Sequence, residues 1–279
     1  MPTTYTHYQF GDRVYPQLPE ALKQAVLSHR ALFDIGVHGP DPLFYYKPLQ
    51  KNAIRAQGNT LHFQPAREFF TRAKYIVQHT DDPAVQEKQK AYLIGFLTHF
   101  VLDATCHTFV EWHVLKGGVS HNKIEAEYDA CLLRRAGKNP EKVDRSRLVQ
   151  PSEEAARVIG PFFGLDQESM HDVLKSQVRG LRMFYSPHGI KRALIRTATR
   201  VIAMPGDFGD LFMEEKEDPR CHASNVRLDE LLKDAEARFS ALWPNFIAFL
   251  EDKADLDPFF DRHFEAVRTD AGDPDPNYA

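Results

Sequence analysis

With 279 residues, 43% of them hydrophobic and 27% charged, the chain has the composition of a globular protein able to bury a substantial core. Its formal charge of −4 argues against a general nucleic-acid binder, and three cysteines (Cys106, Cys131, Cys221) without CxxC spacing imply neither a disulfide framework nor a zinc ribbon. Those cysteines read as small packing residues. Thirteen histidines are a high count of the commonest metal ligand. The opening MPTTYTHYQFGDRV has no apolar signal core, and no apolar stretch approaches the ~20 residues that span a bilayer. A soluble, cytoplasmic protein is expected.

Helix signals dominate the chain. Residues 19–35 carry Leu22, Ala25, Val26, Leu32 and Phe33 on one stripe behind Pro19, and 65–79 repeat the arrangement with Phe69, Phe70, Ala73 and Ile76. Thr80-Asp81-Asp82-Pro83 is a cap followed by an N1 proline, so the next helix opens there and runs past Asp103. Ser120 caps a helix over 121–135 that ends at Ala136-Gly137. Further helices are expected over 152–162, 166–185, 189–202, 227–250 (interrupted at Pro244) and 258–267. No run alternates with period two, so sheet content should be small. The expectation is an all-α protein: one domain of nine or ten helices over 1–268, followed by a polar, disordered tail at 269–279.

The central information lies in GFLTHFVLDATCH and VSHNKIE. His99, Asp103 and His107 stand at i, i+4 and i+8, so one helix projects all three from a single face. His121 and Glu125 form an HxxxE pair on the helix that follows the Gly117-Gly118 break. Imidazole and carboxylate converging from two helices is a common way to hold zinc. A single helical His is ordinarily a surface or hydrogen-bonded residue, but AYLIGFLTHFVLDA is apolar nearly all round. His99 and Asp103 are therefore buried, which is costly unless each is paired or bound to metal. Upstream, His7, Asp41 and His62 sit in short, loop-like contexts, with Asp41 in a segment stiffened by Gly39, Pro40 and Pro42.

The order His, Asp, His, HxxxDxxxH, HxxxE resembles the zinc-dependent phospholipase C family, an all-α fold shared with fungal single-strand nucleases. Its most specific parts are GxxxHxxxD at Gly95, His99 and Asp103 and HxxxE at His121 and Glu125. The resemblance implies two to three zinc ions in a cleft. Asp41, His62, His99 and Asp103 would hold one ion, with Asp103 bridging to a second. His107, His121 and Glu125 would hold another, and His7 would help hold the ion sharing Asp103. Asp41, at the mouth of the cleft, would orient or deprotonate the attacking water. This chain departs from the family pattern in three places. Asp103 and His107 are four residues apart rather than six, no N-terminal tryptophan amine is offered as a ligand, and Pro42 replaces the aromatic residue that follows the aspartate in choline-selective enzymes.

The reading is a metal-dependent phosphodiester hydrolase of the phospholipase C type, acting on a phosphodiester or phospholipid, with no stable nucleic-acid partner. Two other readings use the same residues: a nuclease-like or soluble phosphate-ester hydrolase, and a catalytically silent, metal-stabilised binding protein. Arg192, Arg196 and Arg200 share a helix face that either meets an anionic surface or pairs with the acidic stretch 207–218. Phe44, Tyr45 and Tyr46 either line a substrate pocket beside Asp41 or pack around its loop. His38 is close enough to Asp41 to act behind a ligand.

Overall fold

A computed structural model describes residues 4–186, 189–201 and 208–265, and among them there are eleven α-helices and no strand. The expected tail at 269–279 lies outside the described residues. In chain order the helices are α1 (Thr4–Val14), α2 (Glu20–Ser28), α3 (Arg30–Gly36), α4 (Ala53–Phe63), α5 (Ala66–Gln78), α6 (Pro83–Lys116), α7 (His121–Arg135), α8 (Glu153–Phe163), α9 (Gln167–Phe184), α10 (Gly189–Val201) and α11 (His222–Leu250). The caps read from the sequence act as expected. Asp82 accepts from the Ala84 N–H ahead of α6, Ser120 accepts from the Lys123 N–H ahead of α7, and Ser152 accepts from the Ala155 N–H ahead of α8.

Helix α6 is the axis of the molecule. Its 34 residues extend about 51 Å at 1.5 Å per residue, and α1, α2, α3, α5, α7, α8 and α11 all pack against it. By length and composition it is apolar enough to cross a membrane, contrary to the expectation from sequence. However, 89% of that apolar window is buried inside the fold, as befits a core helix. One hydrophobic cluster runs from Phe10 to Phe264 and includes Phe69, Phe70, Phe96, Phe100, Phe246 and Phe260. Phe69 stacks on Phe96 with ring centroids 4.0 Å apart.

Several elements differ from the sequence-based expectation. The single helix over 19–35 is two, because His29 leaves helical geometry (φ −124°, ψ 36°) while its N–H still bonds back to Ala25 and Val26. That bend lays α3 along α6 at a glycine contact. A Cβ on Gly36 would stand 2.2 Å from the Tyr92 carbonyl oxygen, and one on Gly95 would stand 2.3 Å from that of Phe33. Two helices, α1 and α4, form where loops were expected. Helix α4 hides behind Gly58, Asn59 and Thr60, poor helix formers, but Asn52 caps it by accepting from the Arg55 N–H. Helix α11 starts five residues early and continues through Pro244, which removes one backbone donor without ending the helix.

The helix expected over 258–267 is a 3-10 turn, Pro258–Asp261, followed by an irregular, bent strap to Glu265. The strap's backbone groups are used outward: the Ala66 N–H donates to the Arg262 carbonyl, and the Glu265 N–H donates to the His62 carbonyl.

Candidate metal centre

Each candidate ligand is positioned by a specific element. The first turn of α1 is held by Asp129 of α7, whose carboxylate accepts from the Tyr5 N–H (3.1 Å), the Thr6 N–H (2.7 Å) and the Thr6 hydroxyl (2.7 Å). A carboxylate at those orphan donors stabilises a helix N-terminus and fixes the rotation that points His7 inward. Asp41 opens the 3-10 turn Asp41–Tyr45, which α9 clamps: Gly180 leaves room for the Tyr45 ring, which a Cβ would meet at 2.3 Å. Gly39, at φ +52°, lies against His99, and a Cβ there would stand 2.2 Å from the imidazole. His62 sits on the last turn of α4, and His99, Asp103 and His107 follow one another up α6.

These side chains meet in the interior. His7 Nε2 lies 3.1 Å from Asp103 Oδ1, His99 Nε2 lies 3.0 Å from Asp103 Oδ2, and His62 Nε2 lies 3.1 Å from Asp41 Oδ1. The rings of His7 and His99 stack with centroids 4.4 Å apart. Ligand atoms of His7, Asp41 and His99, and again of His62, His99 and Asp103, fall within 4.8 Å of one another. At the other end, Glu125 Oε1 lies between His107 Nε2 (3.2 Å) and His121 Nε2 (3.0 Å). Asp103 Oδ2, 3.9 Å from His107 Nδ1, joins the two ends. All eight residues therefore belong to one constellation. Asp41 is 1% exposed and forms its floor rather than its mouth, whereas His121, 20% exposed, is nearest to solvent.

The hydrogen bonds behind the imidazoles have a common pattern. Nδ1 of His62 donates to the Gly58 carbonyl, Nδ1 of His107 to the Phe264 carbonyl, and Nδ1 of His121 to the Glu111 carboxylate, all at 2.7–2.8 Å. Each acceptor fixes the tautomer and leaves the Nε2 lone pair facing the constellation, as for histidines that bind metal. Glu111 and Phe264 could not be found from sequence. Glu111 is ten residues from His121, and Phe264 acts through its carbonyl from 157 residues away.

Charge in the centre is strongly coupled. Burial alone would raise the Asp103 pKa, but His99, His107 and His7 hold it well below the usual carboxylate range. Burial likewise opposes the charged form of the imidazoles, yet Asp103 raises His7, Asp41 raises His62, and Glu265, Asp103 and Glu125 raise His107. His121 is pushed up to about 9 against burial by Glu125 and Glu111. His38 is the exception: burial, with His7 and His99 beside it, pushes it down to about 3 and keeps it neutral. Burial, then Asp103 and Glu125, push the Cys106 thiol up, so it offers no thiolate here.

The donor set fits divalent metal. His7 Nδ1, Asp41 Oδ2, both nitrogens of His99, Asp103 Oδ2, His121 Nε2 and Glu125 Oε2 are buried without a hydrogen-bond partner. Each such atom costs about 1–3 kcal/mol if left unsatisfied. Cations coordinated by nitrogen and oxygen satisfy them together and neutralise the three acids.

Beside the floor lies a second cavity of about 370 Å³, lined by Phe44, Tyr45, Lys47, Arg55, Arg179 and Met183 among others. Phe44 lines this cavity, and its ring stands 4.9 Å from that of His62. Tyr46 does not line it. Of the expected basic face, Arg192 is buried and paired with Glu141 (2.7 Å) and Glu214 (2.6 Å), while the side chains of Arg196 and Arg200 lie outside the described residues.

Comparison with the curated proteins and with solved structures finds no match. A scan of protein families finds the one described as zinc dependent phospholipase C over residues 6–166, more than half of the chain and the whole span from His7 to Glu125. Together with the eleven-helix fold, that match means that the chain belongs to the zinc-dependent phospholipase C family.

Proposed function

We propose that this protein is a phosphodiester hydrolase that uses a multinuclear zinc centre held by His7, Asp41, His62, His99, Asp103, His107, His121 and Glu125. The observation that carries the reading is the set of buried, unpartnered imidazole and carboxylate atoms converging from α1, α6, α7 and the Asp41 turn, with His62 of α4 beside Asp41. Zinc bound there would polarise phosphoryl oxygens and make water acidic enough to attack near neutral pH. Within the protein, Asp103 sets the spacing between the two ends and Glu125 holds His107 and His121 together. In this reading Asp41, whose Oδ2 is free of a hydrogen-bond partner, would orient the attacking water or take its proton.

The adjoining 370 Å³ cavity supports an amphiphilic substrate. Its lining is mostly apolar, and Lys47, Arg55 and Arg179 give it positive charge without a carboxylate. A phosphodiester carrying an apolar arm matches both spaces. A cytoplasmic location is part of the same proposal, supported by three unpaired thiols.

Elemental analysis combined with a bis-p-nitrophenyl phosphate assay tests the function. At least two divalent ions per chain and turnover abolished by chelation are expected. Less than one equivalent after reconstitution, or turnover that survives chelation, contradicts it.

A further inference from the structure

The strap that replaces the expected last helix ends on the metal centre. Phe264 is fully buried, with its ring 5.9 Å from those of both His62 and His99, and its carbonyl accepts from His107 Nδ1 at 2.8 Å. The backbone of the next residue is anchored by the Glu265 N–H donating 3.0 Å to the His62 carbonyl. Two successive residues are thus tied to two candidate ligands, which brings the Glu265 backbone to the edge of the centre. Its Oε2 lies 3.5 Å from His107 Nδ1, and one ligand atom from each of His107, His121 and Glu265 falls within 4.8 Å of the others. Among the described residues its ion-pair partner is this imidazole rather than a lysine or arginine. At 14% exposure, the carboxylate stands at the solvent side of the centre, beside His121.

Glu265 lies well beyond the region matched to the family and 140 residues after Glu125. We propose that Glu265 is a metal ligand of the outer site, joining His107, His121 and Glu125. Three protein ligands leave a position open for water or substrate, whereas four close a tetrahedral shell. The Glu265 carboxylate thereby occupies the solvent-side position that a phosphate oxygen must take, and substrate enters by displacing it.

The inference rests on the assignment of His107, His121 and Glu125 to a metal, so its test separates the two. Cobalt(II) is titrated into metal-free wild type, Glu265→Gln, Glu265→Ala and His121→Ala, and both affinity and visible d–d absorption are followed. Glu265→Gln keeps the backbone bond to His62 and nearly the same shape, so the fold is retained. Expected are an outer site more than about a hundredfold weaker in both Glu265 variants, beyond the loss of about 10–100-fold that follows removal of a group that only supports a ligand, and a weaker absorption band as water replaces the carboxylate. A smaller loss with the band unchanged would make Glu265 a supporting group behind His107 Nδ1 and overturn the proposal. Inorganic phosphate should then perturb the band in Glu265→Gln at concentrations that leave wild type unchanged. If His121→Ala loses one equivalent while both Glu265 variants match wild type, Glu265 is not a ligand. If His121→Ala loses nothing, the outer-site assignment itself fails.

Discussion

Asp103 and Asp41 are both buried carboxylates among imidazoles, but they differ in reach. Asp103 contacts His7, His99 and His107 at 3.1, 3.0 and 3.9 Å, whereas Asp41 contacts His62 at 3.1 Å and His99 at 3.7 Å. Asp103→Asn should therefore remove more metal than Asp41→Asn. Metal content of the two folded variants, measured side by side, decides this, and equal content in Asp103→Asn and wild type contradicts the bridging role. Protons compete with metal at the same atoms. In metal-free protein the His121 pKa is raised to about 9, against burial, by Glu125 and Glu111. Stability from that protonated ring is complete below its ordinary value of 6.5 and is lost as pH rises through about 9. Zinc must displace the proton, so zinc uptake at pH 7 should release protons and weaken as pH falls. Calorimetry in buffers of different ionisation enthalpy reads this directly, and a heat independent of buffer contradicts it.

At the scale of elements, the contact between α3 and α6 sets how closely the Asp41 turn approaches His99. Gly36 and Gly95 let two helix backbones meet without side chains between them. Helix propensity alone predicts that Gly95→Ala stabilises α6 by up to about 1 kcal/mol. The Phe33 carbonyl, 2.3 Å from the new methyl, predicts the reverse. Backbone cannot step aside as a flexible side chain can, so the clash should win, with a net loss of about 3 kcal/mol, the upper range for an overpacked core. Urea denaturation of Gly95→Ala and wild type tests the sign, and a higher midpoint in the variant would show that the helices can separate without loss. The first residue of the GxxxHxxxD motif is thus a packing requirement one turn below His99. At the far end, α7 carries His121, Glu125 and Asp129 at four-residue spacing, with different uses. His121 and Glu125 face the outer site, while Asp129, one turn further, holds α1 and through it His7.

For the molecule as a whole, the centre ties together α1, α4, α6 and α7, all in the first half of the chain, and through the Phe264 carbonyl it also holds the strap from the second half, so metal binding would be energetically linked to the fold. Ligand at about one hundred times its dissociation constant adds about 2.7 kcal/mol to the folded state. For a domain this large that corresponds to a shift of roughly 5–10 °C in Tm. Chelation should lower the Tm by this amount, with recovery on adding zinc, as followed by differential scanning calorimetry. A Tm indifferent to metal would show that the constellation binds none tightly.

The local features were legible in the sequence because they depend on near neighbours. Capping residues and helical periodicity located α5 to α9, and the i, i+4, i+8 spacing dictated that His99, Asp103 and His107 share a face of α6, as they do. The burial of that face followed from the apolar surroundings. The parts that were not legible depend on partners remote in sequence. Helix α1 is stabilised by Asp129, α4 forms despite Gly58, Asn59 and Thr60, and the chain bends at His29 to bring Gly36 against α6. The segment 258–267 carries helix-like periodicity, yet its strap is not helical, and the backbone of Arg262, Phe264 and Glu265 is instead hydrogen-bonded to Ala66, His107 and His62. Sequence spacing determined which ligands a single helix can present. Only tertiary packing decided how deep Asp41 lies, which acceptors stand behind His62, His107 and His121, and that a glutamate at position 265 lies beside His107, since backbone carbonyls and long-range contacts leave no periodic mark on a sequence.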